Sequence, residues 1–543
     1  MNSYFKNNVV SISFATSLSK VAGFIRQIFI AAAFGIGITY DAYNYAYIIP
    51  GFLLIIIGGI NGPLHNAVVA VITPLKRREG ALVLTKVSIK LTLLFFILGV
   101  IVYFNSGLLI NLIAPNLSNE AKSIASYQLR ILTPCIPLSA FIGLSFGALN
   151  SRNKFFISSI SPAITSLTTI LFISASWIIN HQNTNYLFYS GLLAKATLTG
   201  TCIQFAVQCW EIHKIGLFKF NSAWHLFKNE EKRIFKLIAP ASISSGLGQI
   251  NVFIDMFFAS SFQGAASGLA YGNFLIQAPL GVLSNALILP LLPKFSKLNR
   301  NQENRNLEKS LISGIEYCFL TTIFLTGFFI TFNNQIVQFV FQRGAFNSEA
   351  VFLVKNILIA YAVGIPFYLY RDLLVRTYYA IENPKLPFQL SFAGIILNVF
   401  FDWFLVGAPT INFGNLSPYN FGVIGIILSS VIVNLIICIF LTTNFNTYGI
   451  NIPKNILLKK FVLISLACSI TSTICYSVIK DINGLSSNIW ELFILVIGFL
   501  AFLIIYFSIT KLFGVNKLNP LIKIRLKFTN YQVFLLNHKF VMQ

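Results

Sequence analysis

Long runs of apolar residues, separated by short polar and basic segments, recur along the whole chain. A membrane-spanning helix needs about 20 mainly apolar residues. Fourteen stretches meet that requirement, so the pattern predicts an all-α polytopic membrane protein with about 14 transmembrane helices. The predicted spans are 9–34, 40–74, 82–104, 126–149, 158–179, 187–210, 234–262, 267–292, 311–332, 351–381, 388–406, 423–443, 461–479 and 490–512.

The composition supports this class and excludes a soluble enzyme of several domains. Of the 543 residues, 56% are hydrophobic and only 10% are charged, whereas about 25% of a soluble chain is charged. The seven cysteines lie in apolar stretches and form no CxxC pair, so we expect neither a disulfide framework nor a metal site. The sequence has no GxxxxGK[ST] loop and no HExxH motif, and we expect neither a cofactor nor an enzymatic activity.

The net charge of +23 is distributed unevenly between alternate loops. Loops that follow even-numbered spans hold nineteen lysines and arginines, and the opposite loops hold only Lys122, Arg343 and Lys480. Because cytoplasmic loops carry the excess of basic residues, both termini are predicted to be cytoplasmic. Most of the positive charge therefore sets orientation, and we do not expect nucleic acid as a partner.

A faint internal repeat suggests how the spans are grouped. Asn150–Lys154 follows span 4 as Glu382–Lys385 follows span 10, and Pro50 of span 2 corresponds to Pro279 of span 8. Six spans per repeat would give two lobes of like orientation. The predicted organisation is an N-lobe over residues 1–213, a cytoplasmic linker over 214–233, a C-lobe over 234–446, and spans 13 and 14 with a basic tail over 447–543.

The first span carries a polar face at membrane depth. Ser19, Lys20, Gly23, Arg26 and Gln27 have spacings that place them along one side of a helix. Charged side chains inside a membrane usually face protein, water or a bound ion. We interpret this face as a candidate substrate-binding surface. The alternative is that Lys20 and Arg26 extend to the cytoplasmic interface.

Other charged residues also fall within the predicted spans. Asp41 begins span 2, either as a helix N-cap or as a functional carboxylate. Asp255, in the middle of span 7, is a candidate ion relay that is either protonated or paired with a cation from another helix. Span 10 carries Arg371, Asp372 and Arg376; Asp372 is a second candidate relay unless it only neutralises Arg371.

A membrane interior with several cations and no catalytic motif suits the binding and movement of an anion. Two lobes around such an interior predict transport by alternating access, driven by the membrane potential or by an ion gradient. The competing class is a membrane scaffold without transport. Lys20, Arg26 and Asp255 argue against a scaffold, because it has no need of charge at membrane depth.

Several motifs follow one another in the order of a known family. The pattern SRxxGFxR…FG…TDAF is approached by Ser19–Arg26, Phe34–Gly35 and Tyr40–Tyr43, and the pattern FxRGxF by Phe341–Phe346. Further matches are Leu149–Asn150 with Phe155 and Pro162, Pro279–Leu283 with Pro293, and Arg376–Ala380 with Pro387 and Asn398. Over residues 8–510 the chain resembles the MurJ (MviN) lipid II flippases of the MOP transporter superfamily. Residues 58–65 resemble the cyanobacterial members.

This resemblance implies a substrate and a location. The substrate would be lipid II, an undecaprenyl-diphosphate that carries a disaccharide-pentapeptide, moved from the inner to the outer leaflet of the bacterial cytoplasmic membrane. It implies a cavity between spans 1–6 and spans 7–12, and a groove for the lipid tail at spans 13 and 14. The expected partners are lipid II, membrane lipids and the cell-wall synthesis machinery.

The family pattern also implies roles for single residues. Lys20 and Arg26 would hold the diphosphate, and Asp41 would lie at the outer gate. The cavity would be lined by Ser19, Gly23 and Ser267.

The chain departs from the family among the cavity cations. Leu54 and Phe274 stand where the family often has arginines, and Lys20 replaces another arginine. A lysine lacks the forked donor geometry that suits phosphate. We therefore predict that Arg371 or Arg376 supplies the missing cation.

The alternatives within the superfamily are an exporter of another polyprenyl-linked glycan and a cation-coupled drug antiporter. The segment Phe341–Phe346 and the span 1 motif favour lipid II over both.

Overall fold

The structure is a computed structural model that describes residues 3–54, 62–179, 186–218, 228–288, 290–407, 419–482 and 488–515. Within those ranges the chain is helical and contains no β-strand. The segment 58–65 and the predicted linker 214–233 are described only in part. The tail beyond residue 515 lies outside the described residues.

Within the described residues the α-helices are numbered α1 to α20 in chain order. They are Ser3–Phe34, Ile38–Leu53, Pro63–Ile72, Arg77–Phe104, Ser106–Ile113, Asn119–Leu132, Cys135–Ser151, Phe155–Ile160, Pro162–Ile179, Tyr186–Lys214, Lys228–Ala259, Ala265–Leu283, Leu291–Arg300, Asn304–Thr331, Asn333–Phe341, Ser348–Ala380, Lys385–Val406, Val423–Asn444, Lys454–Ile482 and Asn488–Leu512. A π-helical turn, Ser284–Ile288, continues α12.

Each of the fourteen predicted spans coincides with one of these helices or with two consecutive helices. Among the described residues, ten helical segments are long and apolar enough to cross a membrane, and α6 with α7, bent by 46°, would make an eleventh. The all-α polytopic class is therefore confirmed, whereas the number fourteen is not.

Proline and glycine explain where the helices break. The predicted span 2 consists of α2, which contains Pro50, and α3, which begins at Pro63. Proline suits the first helical position because the amide it lacks would have no intrahelical partner there. Helix α1 ends at Gly35, whose φ of +52° is a left-handed conformation that glycine adopts without strain.

The chain forms two compact units. Unit 1 comprises Met1–Phe274, Val340–Ile357 and Phe388–Val433, and unit 2 comprises Leu275–Phe339, Leu358–Pro387 and Asn434–Gln543. The lobe boundaries proposed from the sequence repeat stay a prediction.

Unit 1 has an apolar core in which large side chains from several helices are fully buried. Tyr45 of α2, Leu64 and Val68 of α3, and Leu149 of α7 are examples. Unit 2 is built around α14, which packs against α19 and α20. Gly327 of α14 lies directly against Cys468, where no Cβ would fit.

The segments that follow α7 and α16 correspond to each other in the sequence repeat. Asn153 has a φ of 60° and Glu382 a φ of 61°, and they are 229 residues apart. Each follows its helix with the same pair of backbone hydrogen bonds, such as Lys154 N to Leu149 O at 2.9 Å and Asn383 N to Tyr378 O at 2.9 Å. The two sequence segments therefore adopt the same helix-ending turn.

A carboxylate joins α4 to the beginning of α11. Glu231 lies 2.6 Å from Lys86 Nζ and also accepts from Lys90, one turn further along α4. Burial raises the pKa of Glu231, but the hydrogen bonds and charges of the two lysines outweigh it and hold the pKa below its ordinary value. Glu231 falls within the predicted linker, so this ion pair attaches the end of that segment, where α11 has already begun, to α4.

Candidate functional site

Arg26 lies in the last third of α1 and lines a cavity of about 340 Å³ within unit 1. The polar part of the lining consists of Ser139, Thr165, Thr197, Thr201 and Gln204, and the apolar part includes Tyr47, Pro50, Leu54 and Phe146. The Nε of Arg26 is buried and has no hydrogen-bond partner among the described residues. A buried donor without an acceptor is costly, so this cavity favours a ligand that brings an acceptor.

The remaining residues of the polar face on α1 have different surroundings. Lys20 is exposed and Ser19 is half-buried, and neither belongs to the lining of the Arg26 cavity. Gly23 faces α9, where a Cβ would lie 4.0 Å from Ser166 Oγ. The structure thus brings Arg26, but not Lys20, to the cavity.

Two glutamine side chains hold α10 at this cavity. Gln208 Nε2 donates to Ser161 Oγ at 2.9 Å, and Gln204 Nε2 donates to the same oxygen at 3.4 Å. Thr165 of α9 donates to Gln204 Oε1 at 3.3 Å. Since amides and hydroxyls are both donors and acceptors, this wall of the cavity can bind neutral polar groups beside the anion that Arg26 favours.

Asp41 joins the first turn of α2 to the beginning of α12. Its Oδ1 accepts from the Ser267 backbone N–H at 2.8 Å and its Oδ2 from the Gly264 backbone N–H at 3.2 Å. The first amides of a helix have no intrahelical partner and carry partial positive charge, so a carboxylate stabilises them. Asp41 therefore caps α12; its own helix begins after Gly37, without a side-chain cap.

The segment Phe341–Phe346 packs against the turn between α1 and α2. Ala345 N donates to Ala32 O at 2.8 Å. Gly344 has a φ of +56°, and a Cβ there would overlap the Ala32 carbonyl oxygen. The glycine of this motif is therefore required both by its backbone conformation and by the close approach of two chain segments.

Tyr271 of α12 completes this contact region. Its hydroxyl donates to Gly35 O at 2.9 Å. Its ring centroid lies 4.9 Å from that of Phe341 and 5.3 Å from that of Phe346. The bonds of Asp41 and Tyr271, with the Phe341–Phe346 segment, form a continuous joint that the charge asymmetry predicts to be on the outer side; we call it the outer joint.

Asp255 of α11 lies in a cluster of polar side chains from α17 and α18, all within unit 1. Asn398 Nδ2 donates to Asp255 Oδ1 at 2.8 Å and to Asp402 Oδ2 at 3.0 Å. Ser429 Oγ donates to Asp402 Oδ1. Two carboxylates that share one amide donor lie close enough to repel each other, so the cluster needs a proton or a cation.

Arg371, Asp372 and Arg376 lie on α16 in unit 2. Arg376 Nε donates to Asp372 Oδ1 at 2.8 Å, across one helical turn, and Ser284 Oγ donates to Asp372 Oδ2 at 2.7 Å. Arg371 Nη1 donates to Asn434 Oδ1 at 2.8 Å. Asp372 therefore has Arg376 as an ion-pair partner, which the sequence interpretation did not consider.

The two apolar replacements of family arginines lie next to the candidate site. Leu54 lines the Arg26 cavity. The ring of Phe274 stacks on Phe24 of α1, with centroids 5.9 Å apart. Both side chains are therefore integrated into the packing around α1, and neither position offers a charge.

The sequence interpretation missed the polar partners of Asp255, which are Asn398, Asp402 and Ser429. A signal was present, because Asn398 and Asp402 are four residues apart in span 11 and so share a helix face. What the sequence could not show is that this face meets Asp255, 143 residues earlier in the chain.

Comparisons with known proteins agree over nearly the whole chain. The family model described as lipid II flippase MurJ matches residues 30–500. A protein of Synechocystis sp. (strain ATCC 27184 / PCC 6803 / Kazusa), named probable lipid II flippase MurJ, is 38% identical over 428 residues, which are 78% of this chain and 78% of that protein. The lipid II flippase MurJ of Thermosipho africanus (strain TCF52B) is 28% identical, over 91% of this chain and 94% of its own length.

Solved structures show the same fold. A structure described as lipid II flippase MurJ in an inward closed conformation has a TM-score of 0.72 and 26% identity, and the match covers 92% of this chain and 99% of that one. An inward-facing multidrug resistance MATE transporter of the MOP superfamily has a TM-score of 0.58, over 80% of this chain and 96% of its own. At 14% identity the second likeness concerns the fold alone.

Proposed function

Because the chain belongs to the lipid II flippase MurJ family, we propose that it carries lipid II from the inner to the outer leaflet of the bacterial cytoplasmic membrane by alternating access. The family predicted from the sequence motifs is confirmed. The diphosphate and sugars of lipid II cannot enter hydrocarbon unaided, because each polar group left without a partner there costs several kcal/mol. A polar cavity removes that cost while the polyprenyl tail stays in lipid.

The observation that carries this proposal is the position of Arg26. It places a guanidinium in a polar cavity of about 340 Å³ on a helix that crosses the membrane, and its Nε has no partner among the residues that the structure describes. A guanidinium binds phosphate oxygens through parallel N–H donors. Arg26 is thus the residue to which we assign the diphosphate, with Thr197, Thr201 and Gln204 as donors and acceptors for the adjoining sugar.

The other residues of α1 have supporting roles in this proposal. Lys20 lies six residues before Arg26 and, being exposed, is available to the head group before it reaches the cavity. Ser19 and Gly23 allow that passage because they are small. Asp41 and Ser267 hold the outer joint closed, and the joint must separate when the cavity opens outward.

Arg371 and Arg376 supply the cations that Leu54 and Phe274 do not. Both lie on one membrane-crossing helix, α16. Asp372 orients Arg376 by an ion pair at its Nε, which leaves the two Nη groups of the guanidinium as donors for a phosphate. Asn434 orients Arg371 in a similar way.

The cluster of Asp255, Asn398, Asp402 and Ser429 couples transport to an ion. Its ligands are oxygen atoms and one amide, which suit a proton or a small hard cation such as Na⁺. Occupancy of the cluster changes the repulsion between two carboxylates, and therefore the packing of α11 against α17. An ion gradient, or the membrane potential acting on that ion, is the driving force in this proposal.

The protein is a multi-pass inner-membrane protein of a transporter family. We place both of its termini in the cytoplasm, as the basic loops predict. It moves its substrate without making or breaking a covalent bond. The cell-wall synthesis machinery that consumes lipid II at the outer leaflet is the partner we expect.

The alternatives from the superfamily are less well supported. A drug antiporter or an exporter of another glycan would share the fold. The similarity to the MATE transporter, at 14% identity, is evidence for the fold and not for a shared substrate. The Phe341–Phe346 segment matches a motif of the MurJ family, and Gly344 and Ala345 build it into the outer joint. This match favours a MurJ flippase over the other transporters. A scaffold would not need the polar cavity at Arg26.

Complementation tests the proposed function. The full chain is expressed in a bacterial strain depleted of its own lipid II flippase, and growth is measured. We expect the chain to restore growth, and Arg26→Ala to fail at an equal amount in the membrane. Absence of growth with the unmodified chain well expressed would count against the proposal.

A further inference from the structure

A second cationic pocket lies apart from the Arg26 cavity, at helix ends that the charge asymmetry predicts to be cytoplasmic. It has a volume of about 340 Å³ and is lined by Arg77, Arg152, Lys154, Lys214, Glu211 and Ile215. These residues come from the beginning of α4, the segment after α7 and the end of α10. Four basic side chains and one acidic side chain therefore converge from three separate parts of unit 1.

Both arginines of the pocket lie against glycines, and a backbone carbonyl holds Arg152 in place. Arg152 Nη2 donates to Leu75 O at 3.0 Å, and the same guanidinium packs over Gly80, where a Cβ would lie 3.1 Å from Nη2. The guanidinium of Arg77 packs over Gly216, where a Cβ would lie 2.9 Å from its Nη2. Gly216 has a φ of +64° and ends α10. Arg152 is therefore positioned before any ligand binds, and the exposed Arg77 lies beside it in the pocket lining.

The pocket has more donors than acceptors. Glu211 is 4.0 Å from Lys154 Nζ, a loose ion pair. Arg152 Nε is buried and has no hydrogen-bond partner among the described residues. Like charges held together in a partly enclosed space attract a counter-ion. The arrangement suits a ligand with several anionic oxygens, and forked guanidinium donors match phosphate in particular.

Two exposed aromatic side chains indicate where this pocket lies relative to the membrane surface. Trp210, one turn before Lys214 on α10, is 73% exposed, and Phe156, two residues after Lys154, is 41% exposed. Tryptophan is enriched at the level of the lipid head groups, where its ring has both an apolar and a polar environment. A phosphate bound in this pocket would therefore lie near the height of a phospholipid head group.

We propose that this pocket binds a phosphate group, and that its source is the phosphodiester of an anionic membrane lipid rather than a free phosphate compound. The site is separate from the lipid II path proposed above. Occupancy would tie α4, α7 and α10 together at the membrane surface and so stabilise the N-terminal part of unit 1.

The test uses the full-length protein purified in detergent. Its thermal unfolding is followed while phosphatidylglycerol, phosphatidylcholine or inorganic phosphate is added. The variant Lys154→Gln/Lys214→Gln removes two largely exposed cations of the pocket without touching the arginine–backbone contacts. The control, Lys294→Gln/Lys297→Gln, removes the same charge from two exposed positions on α13.

Phosphatidylglycerol is expected to raise the unfolding temperature, and the half-saturating concentration should increase about tenfold in Lys154→Gln/Lys214→Gln but not in the control. Inorganic phosphate could instead stabilise the protein, lose this effect in Lys154→Gln/Lys214→Gln and compete with the lipid. That result would support a phosphate site but would assign it to a free phosphate compound, and so overturn the lipid as the source. Equal effects of phosphatidylglycerol on both variants, or equal effects of the two lipids, would overturn the proposal.

Discussion

The carboxylate of Asp41 accepts a hydrogen bond from the backbone N–H of Ser267 at 2.8 Å, across 226 residues of chain. This bond and its companion from Gly264 attach the beginning of α12 to the beginning of α2. Both donors are neutral backbone amides. When these bonds break, the Asp41 carboxylate is therefore the only charged group of the pair that needs new partners. In the proposed transport cycle these two bonds break each time the cavity opens outward.

Replacement of Asp41 tests the outer joint. We expect Asp41→Ala to lower the free energy of unfolding by about 1–3 kcal/mol, because two buried helix amides lose their acceptor. Thermal or denaturant unfolding of the purified protein measures this loss. The control is Asn44→Ala, one turn further along α2, whose side chain donates to Tyr40 O of its own helix. Equal stability of the two variants would contradict the assigned role.

Gly344 tests whether the Phe341–Phe346 segment is a structural part of the same joint. Gly344→Ala should lower the amount of folded protein and its unfolding temperature, because alanine is strained at a φ of +56° and its Cβ would meet the Ala32 carbonyl. Gly281→Ala is the matched control: it lies within α12 with open space around it, and alanine there is neutral or stabilising by up to about 1 kcal/mol. An unchanged Gly344→Ala protein would mean that this segment is not rigidly held.

The sequence predicted where the long apolar helices lie and which single residues carry unusual charge at membrane depth. It did not predict which distant residues contact each other. Apolar length alone placed every predicted span on a helix, because a lipid environment leaves the backbone few alternatives. The charge of Asp41 marked it as unusual, but capping of α12 depends on how two helices meet. Likewise, the helical spacing of Asn398 and Asp402 was visible, whereas their contact with Asp255 depends on packing.

The arginines of α16 provide a test of substrate binding in unit 2. We expect Arg371→Ala and Arg376→Ala each to reduce complementation of a flippase-depleted strain, and Arg376→Lys to retain part of it, because lysine keeps the charge but loses the forked geometry. Arg300→Ala, at the exposed end of α13, is the control. Full complementation by both alanine variants would show that the missing cations are not supplied by this helix.

The carboxyl pair of Asp255 and Asp402 tests ion coupling. Asp402→Asn keeps the size of the side chain and removes one titratable, ion-binding group, so transport should lose its response to an imposed proton or Na⁺ gradient and slow by about tenfold or more. The measurement is lipid II translocation in proteoliposomes with each gradient in turn. Thr443→Ala, at the exposed end of α18, is the control and should retain the response. An Asp402→Asn protein that responds like the unmodified one would exclude this cluster as the coupling site.

The most direct test of the central claim is the amount of lipid II exposed on the outer leaflet of cells depleted of their own flippase. Cells that express the unmodified chain should expose lipid II, and Arg26→Ala should reduce that exposure by about tenfold or more at equal membrane abundance, with Arg26→Lys in between. Lipid II confined to the inner leaflet while the unmodified chain is abundant in the membrane, or full exposure with Arg26→Ala, would contradict the account.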